Sequence, residues 1–179
     1  LAGIGIALPG FVSKDRHTCI TSTALGWRDV AIGKLLAERT GLPTWVENDA
    51  NALILGEELF GTLRGRPDFS MIFVSHGIGC AHFVNGRLLR GHTGGAGEIC
   101  HAPVAIEGFG AIPCRCGNKG CLETIGSMLA IANAARAAGL SGVPEELVAL
   151  AGAGHPEAVA ILHRAGPAVG LACAQMIRS

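Results

Sequence analysis

The segment Cys114-Arg115-Cys116-Gly117-Asn118-Lys119-Gly120-Cys121 places three thiols within eight positions, with two glycines that let the chain curl back. Three thiolates this close suit a tetrahedral Zn2+, which takes four ligands at roughly 2.0–2.3 Å. The fourth ligand must come from elsewhere, and the nearest histidine is His101, thirteen positions earlier. The spacing is not a common zinc-finger pattern, so it predicts metal binding rather than DNA binding. Three free cysteines buried in a loop are the plainer alternative, since free Cys is often buried.

Three further groups can do chemistry. Glu98-Ile99-Cys100-His101 sets an acid and an imidazole three residues apart, on one face if the segment is helical. One ring nitrogen of His101 can hold a metal while the other donates to a ligand hydroxyl; a surface ion pair is the simpler use of the same spacing. Glu47-Asn48-Asp49 stands at the end of an apolar run and before a helical pattern, where parallel sheets place ligand contacts. Asn48 offers both donor and acceptor, and Asp49 can accept from hydroxyls or take a proton. The same two residues are also ordinary helix N-caps. Gly77-Ile78-Gly79 can bring bare amides to an anion, or can simply make a sheet turn.

The elements that must position these groups alternate. Leu1–Leu8 reads as a buried strand closed by Pro9-Gly10, and Lys14–Thr23 as polar and irregular. Asp29 is placed to cap a helix over Val30–Thr40, stopped by Gly41-Leu42-Pro43. Thr44–Val46 reads as a strand and Ala50–Phe60 as a helix. Phe69–Ser75 and Cys80–Val84 read as strands, with Asn85-Gly86 as a hairpin turn into Leu88-Leu89. Ala102–Lys119 shows few periodic features. Leu122–Ser179 is helical, broken near Ser141–Pro144, Gly152–Pro156 and Gly166-Pro167. This order predicts an α/β architecture.

Composition agrees. The 179 residues are 49% hydrophobic and 16% charged, which excludes a disordered tail. Fourteen basic and fourteen acidic residues cancel, so the chain lacks the basic footprint of a domain that holds nucleic acid alone. Its apolar runs fall far short of the roughly 20 residues that span a bilayer, and no secretory signal is visible. Seven cysteines, three of them clustered, fit a reducing compartment with a metal site better than a disulfide framework. Leu1 lies inside a strand-like run and Ser179 inside a helical one, so both ends read as cuts from a larger protein.

Taken in order, the motifs resemble the ROK family of repressors, open reading frames and sugar kinases, from about Ile4 to Thr124. Ile4-Gly5-Ile6-Ala7-Leu8-Pro9-Gly10 is similar to its strand-turn, Gly26-Trp27 to its following segment, and Glu47–Ala52 to its acidic motif. Gly94–His101 is similar to its Glu-x-Gly-His motif, with Cys100 in place of the glycine, and Cys114–Glu123 to its zinc motif. The resemblance implies an actin-like, ribonuclease-H-like ATPase fold with an inserted zinc loop and a helical C-terminal segment. It implies two lobes, residues 1–61 and 62–179. Asn48, Asp49, Glu98, His101 and Glu123 then stand where the family holds sugar hydroxyls, and Asp49 where its kinases keep their base. His101, Cys114, Cys116 and Cys121 stand at the zinc positions. The metal is expected to clamp the structure, since protein fills all four ligand positions.

Departures separate the subclasses. The kinases carry Gly-Thr before Gly-x-Gly and Gly-Gly after it; this chain has Ser75-His76 and Cys80-Ala81. Histidine before the turn is similar to the regulator branch, which includes xylose and N-acetylglucosamine repressors. The resemblance also implies a phosphate-binding Asp-Gly-Gly-Thr loop before Leu1, an adenosine-contacting glycine motif after Ser179, and, in regulators, a winged helix-turn-helix further upstream. The expectation is therefore a cytoplasmic, homo-oligomeric regulator's sugar- or sugar-phosphate-sensing region, with DNA bound by a domain outside this chain and no membrane partner. The alternative is a sugar kinase using ATP and Mg2+, with Asp49 as catalytic base.

Overall fold

Ile4–Leu8 (β1) and Thr44–Asn48 (β5) are short runs with β-branched residues, and they pair in parallel with Ile4 opposite Thr44 and Leu8 opposite Asn48. A parallel pair needs a crossover. Here it holds an antiparallel three-stranded sheet, Phe11–Val12 (β2), Cys19–Ser22 (β3) and Trp27–Val30 (β4), followed by helix α1, Ile32–Thr40. The computed structural model describes residues 1–104 and 112–178. They form two compact units: Leu1–Met71 with Cys80–Gly97, and Ile72–Gly79 with the chain from Glu98 onward.

In the first unit, Leu8, Val12, Cys19 and Val46 make one core cluster, against which Trp27 and Ile32 pack. Helix α2, Asp49–Phe60, leaves the end of β5 directly, so the strand end and the helix start are one continuous corner. Its buried residues Ala50 and Ile54 meet Ala81 and Phe83 of β7, Ile78–Val84. Strand β6, Phe69–Val74, lies beside β7, and β8, Arg87–Leu88, follows the hairpin. Asn85 and Gly86 have φ of 52° and 70°, the left-handed pair that an Asn-Gly hairpin turn requires.

The second unit is mainly helical. Glu123–Gly126 (α3), Met128–Ala137 (α4), Pro144–Gly152 (α5) and Pro156–Arg178 (α6) follow the cysteine segment. Ile78, Cys100, Leu122, Ile125, Ala168 and Ala172 form one core, and Ala135, Leu147, Ala158 and Ile161 a second. Ser127 caps α4, its Oγ accepting from Ala130 N–H at 3.1 Å. Among the described residues, no helix is long and apolar enough to cross a membrane.

Three expectations are corrected. Asp29 does not cap α1: it lies in β4 with φ of 52°, a conformation Asp tolerates, and α1 begins after Ala31 without a side-chain cap. The segment read as irregular contains β3, whose four residues are too few to show a period. Gly166-Pro167 does not break the last helix. An interior proline costs about 3 kcal/mol, and α6 offsets it by burying a continuous row of Ile161, Ala165, Ala168 and Ala172. Residues 105–111, within the segment read as lacking periodic features, lie outside the described residues.

Candidate functional site

The second unit holds the clustered thiols. Cys114–Cys121 curls through Cys114 N–H to Asn118 O at 2.8 Å and Gly117 N–H to Cys114 O at 3.0 Å. Gly117 and Gly120 take φ of 93° and 68°, which a side chain would disfavour. Leu122 N–H donates to Ala102 O at 3.0 Å, which brings Cys121 back beside His101. The ligand atoms of His101, Cys114, Cys116 and Cys121 all lie within 4.8 Å of one another.

Those separations suit one ion. Cys114 Sγ lies 3.6 Å from His101 Nδ1, and Cys116 Sγ lies 3.7 Å from Cys121 Sγ. A tetrahedral zinc with sulfur at about 2.3 Å has ligand–ligand edges near ~3.5–3.8 Å. Burial, then the neighbouring Cys116 and Cys114, push the Cys121 thiol up to about 12. The Asn118 amide holds the Cys116 thiol below its ordinary value. Buried thiols crowded together resist ionisation, and a bound cation reverses that by taking the thiolates as ligands. The donor set therefore fits a soft or borderline divalent metal.

Glu98 and His101 flank and end a single 3-10 turn, Ile99–His101, rather than sharing an α-helical face. Cys100, where the resembled motif has glycine, is buried in that turn and its thiol donates to Glu98 Oε2 at 3.7 Å. Burial and the Glu98 carboxylate drive the Cys100 thiol far above its ordinary value. Glu98, Cys100 and His101 form a second group within 4.8 Å, sharing the imidazole with the first.

Glu123 is the first residue of α3. Its Oε1 meets Arg115 Nη2 at 2.8 Å, and its side chain is only 12% exposed. A Cβ on Gly77 would stand 2.6 Å from Glu123 Oε2, so the glycine leaves room for the carboxylate. Glu123 and Arg115 line a cavity of about 520 Å³ within the second unit, with His76, Ser127, Asn133 and Arg164 among its polar walls.

Asn48 and Asp49 belong to the first unit, at the β5–α2 corner. Asn48 is the N-cap: its Oδ1 accepts from Asn51 N–H at 3.1 Å, while its Nδ2 donates to Gly10 O at 3.1 Å. Asp49 Oδ1 accepts from Ala50 N–H at 2.9 Å. Each side chain keeps hydrogen-bonding capacity beyond these contacts. Capping and ligand contact are therefore compatible.

Sequence reasoning missed what holds that corner. Glu47 accepts from Asn48 N–H (3.1 Å) and Asn51 Nδ2 (3.2 Å) through Oε1, and from Arg90 through Oε2. Arg16 Nη1 stands 3.8 Å from the same Oε2. Arg90 is 43 residues away, so no local spacing announces it.

Comparison with known proteins places these features. The profile described as ROK family matches residues 1–179. A glucokinase of Halalkalibacterium halodurans is 42% identical over 135 residues, covering 75% of this chain and 40% of that protein. The xylose repressor of Bacillus subtilis is 35% identical over 131 residues, 73% of this chain and 33% of the repressor. A crystal structure of a ROK family transcriptional regulator, homologous to the E. coli MLC protein, superposes with a TM-score of 0.82 at 32% identity, covering 98% of this chain and 46% of that one. The chain thus spans between a third and two fifths of the length of these two curated relatives. With the match running from first residue to last, this chain belongs to the ROK family.

Proposed function

We propose that the chain is the effector-sensing region of a ROK-type transcriptional regulator, and that its effector is a sugar or sugar phosphate. Asn48, Asp49, Glu98, His101 and Glu123 are the residues assigned to that ligand. A polyol needs several acceptors and donors, and these five side chains include both. Zn2+ on His101, Cys114, Cys116 and Cys121 is structural in this reading, because four protein ligands leave no open position. It ties the turn carrying Glu98 and His101 to the start of α3, where Glu123 stands.

The observation that carries the regulator reading is the turn between β6 and β7. Ser75 N–H donates to Gly77 O at 2.8 Å, so the first amide of the turn is consumed within it. The exposed His76 comes next, and Cys80 and Ala81, beyond the turn, are buried. A Gly-Thr and Gly-Gly framework would offer a glycine amide and a hydroxyl to phosphates; here an imidazole replaces the hydroxyl and the Ser75 amide is spent. Effector binding then regulates by favouring one of two conformations, which demands unequal affinity for the two. The readout is DNA affinity, through a winged helix-turn-helix outside this chain in a cytoplasmic homo-oligomer.

The 42% identity to a glucokinase favours a second reading, a sugar kinase. There Asp49 takes the proton of the accepting hydroxyl, that oxygen attacks the γ-phosphorus of MgATP, and ADP leaves. The protein of the complete reading frame separates the two. The regulator reading expects sugars to raise the melting temperature and shift operator affinity, with no ADP formed. Sugar-dependent ATP turnover that disappears in Asp49→Asn would overturn it.

A further inference from the structure

Among the described residues, Cys80 is the thiol outside the four-residue cluster that has an imidazole within hydrogen-bonding distance. Cys80 and His82 are two apart on β7 and so share one side of the strand. Cys80 Sγ lies 3.7 Å from His82 Nε2. The other ring nitrogen, Nδ1, lies 2.8 Å from Ser70 Oγ on neighbouring β6. Ala81 and Phe83, on the opposite side, pack into the core with Ala50 and Ile54 of α2.

This is a nucleophile, a base and a group that orients the base. With Nδ1–H donated to Ser70 Oγ, Nε2 presents its lone pair to the thiol. Once it takes the thiol proton, both ring N–H groups are satisfied, one by the hydroxyl and one by the thiolate. Cys19 is a fully buried core thiol that burial raises above its ordinary value.

We propose that Cys80 is an oxidation site for small hydroperoxides, activated by His82 and Ser70. The thiolate attacks one peroxide oxygen; an S–O bond forms and the O–O bond breaks. Sulfur loses two electrons, and the other peroxide oxygen leaves as hydroxide, or as alkoxide from an organic hydroperoxide, takes the proton held on His82 and departs as water or the alcohol. The product is a sulfenic acid. Cys80 is 4% exposed, which shuts out bulky disulfides and restricts the oxidant to one as small as a peroxide. The site has little slack, since a Cβ at Gly97 would collide with the Cys80 carbonyl oxygen. Gly97 precedes Glu98, so oxidation here has a route to the effector site, a consequence that rests on the reading above; the thiol chemistry does not.

The test treats the zinc-loaded full chain with hydrogen peroxide, stops the reaction with catalase, and unfolds the protein in excess dimedone. Peptide-resolved mass spectrometry then reads each cysteine. Cys80 should label at least tenfold faster than Cys19 and Cys173. H82F should bring its rate down to theirs, and S70A, at an exposed position, should slow it several-fold while leaving the fold intact. Labelling of Cys80 no faster than Cys19, or unchanged in S70A and H82F, would overturn the proposal.

Discussion

Arg90 grips Glu47 Oε2 through both Nε, at 3.1 Å, and Nη2, at 2.6 Å, joining the loop after β8 to the end of β5. The carboxylate is 14% exposed and its other oxygen holds Asn48 N–H and Asn51 Nδ2. The strand–helix corner that presents Asn48 and Asp49 is therefore set by an ion pair closed from outside.

Arg90→Ala should destabilise the first unit by about 1 kcal/mol, a charged hydrogen bond discounted for a guanidinium that is 38% exposed. Urea unfolding followed by Trp27 and Trp45 fluorescence reads this. An unchanged midpoint would mean that Arg90 decorates the corner without holding it.

Cys116→Ser should abolish binding of one zinc per chain, read by metal analysis after dialysis, and should weaken effector binding as a consequence. Stripping the wild-type protein with a chelator should have the same two effects. Normal sugar affinity in the zinc-free protein would contradict the clamp.

Glu98→Gln should separate the two roles of its turn. Zinc content stays at the wild-type level, because the four ligands are untouched, while sugar affinity falls about tenfold or more through loss of a charged acceptor. Calorimetry with the same sugar on both proteins checks it, and equal affinity would remove Glu98 from the site.

Burial raises the Cys19 thiol above its ordinary value. The folded chain then holds a proton that the unfolded chain releases near pH ~8.5. Stability is fully present below that pH and is lost as pH rises toward the folded value, with a slope of up to about 1.4 kcal/mol per pH unit from this group. Cys19→Ala lowers stability at neutral pH by leaving a gap, yet its decline between pH 8.5 and 10.5 should be shallower than wild type in urea titrations. Parallel declines would exclude Cys19 as a contributor.

Local chemistry explains what was readable in the chain. Asn85-Gly86 demands two left-handed residues and gets them, and Ala50–Phe60 has the composition of the helix it forms. The cysteines declare their cluster because three thiols lie within one loop. Where tertiary packing overrides a local rule, the reading fails. Asp29 is capping chemistry spent in a strand, and Pro167 is a breaker carried by a buried row of small and branched residues. The pairings of Glu47 with Arg90 and of Ser70 with His82 join residues 43 and 12 apart, beyond any helical or strand period.

The two units interleave along the chain, which passes from one to the other at Met71–Ile72, at Gly79–Cys80 and at Gly97–Glu98. No single protease nick can release either half, and no simple truncation yields one intact. Isolating the first would require splicing out residues 72–79, rejoining the ends and also removing the chain from Glu98 onward. Any gene fusion or permutation of this segment inherits that knotted bookkeeping.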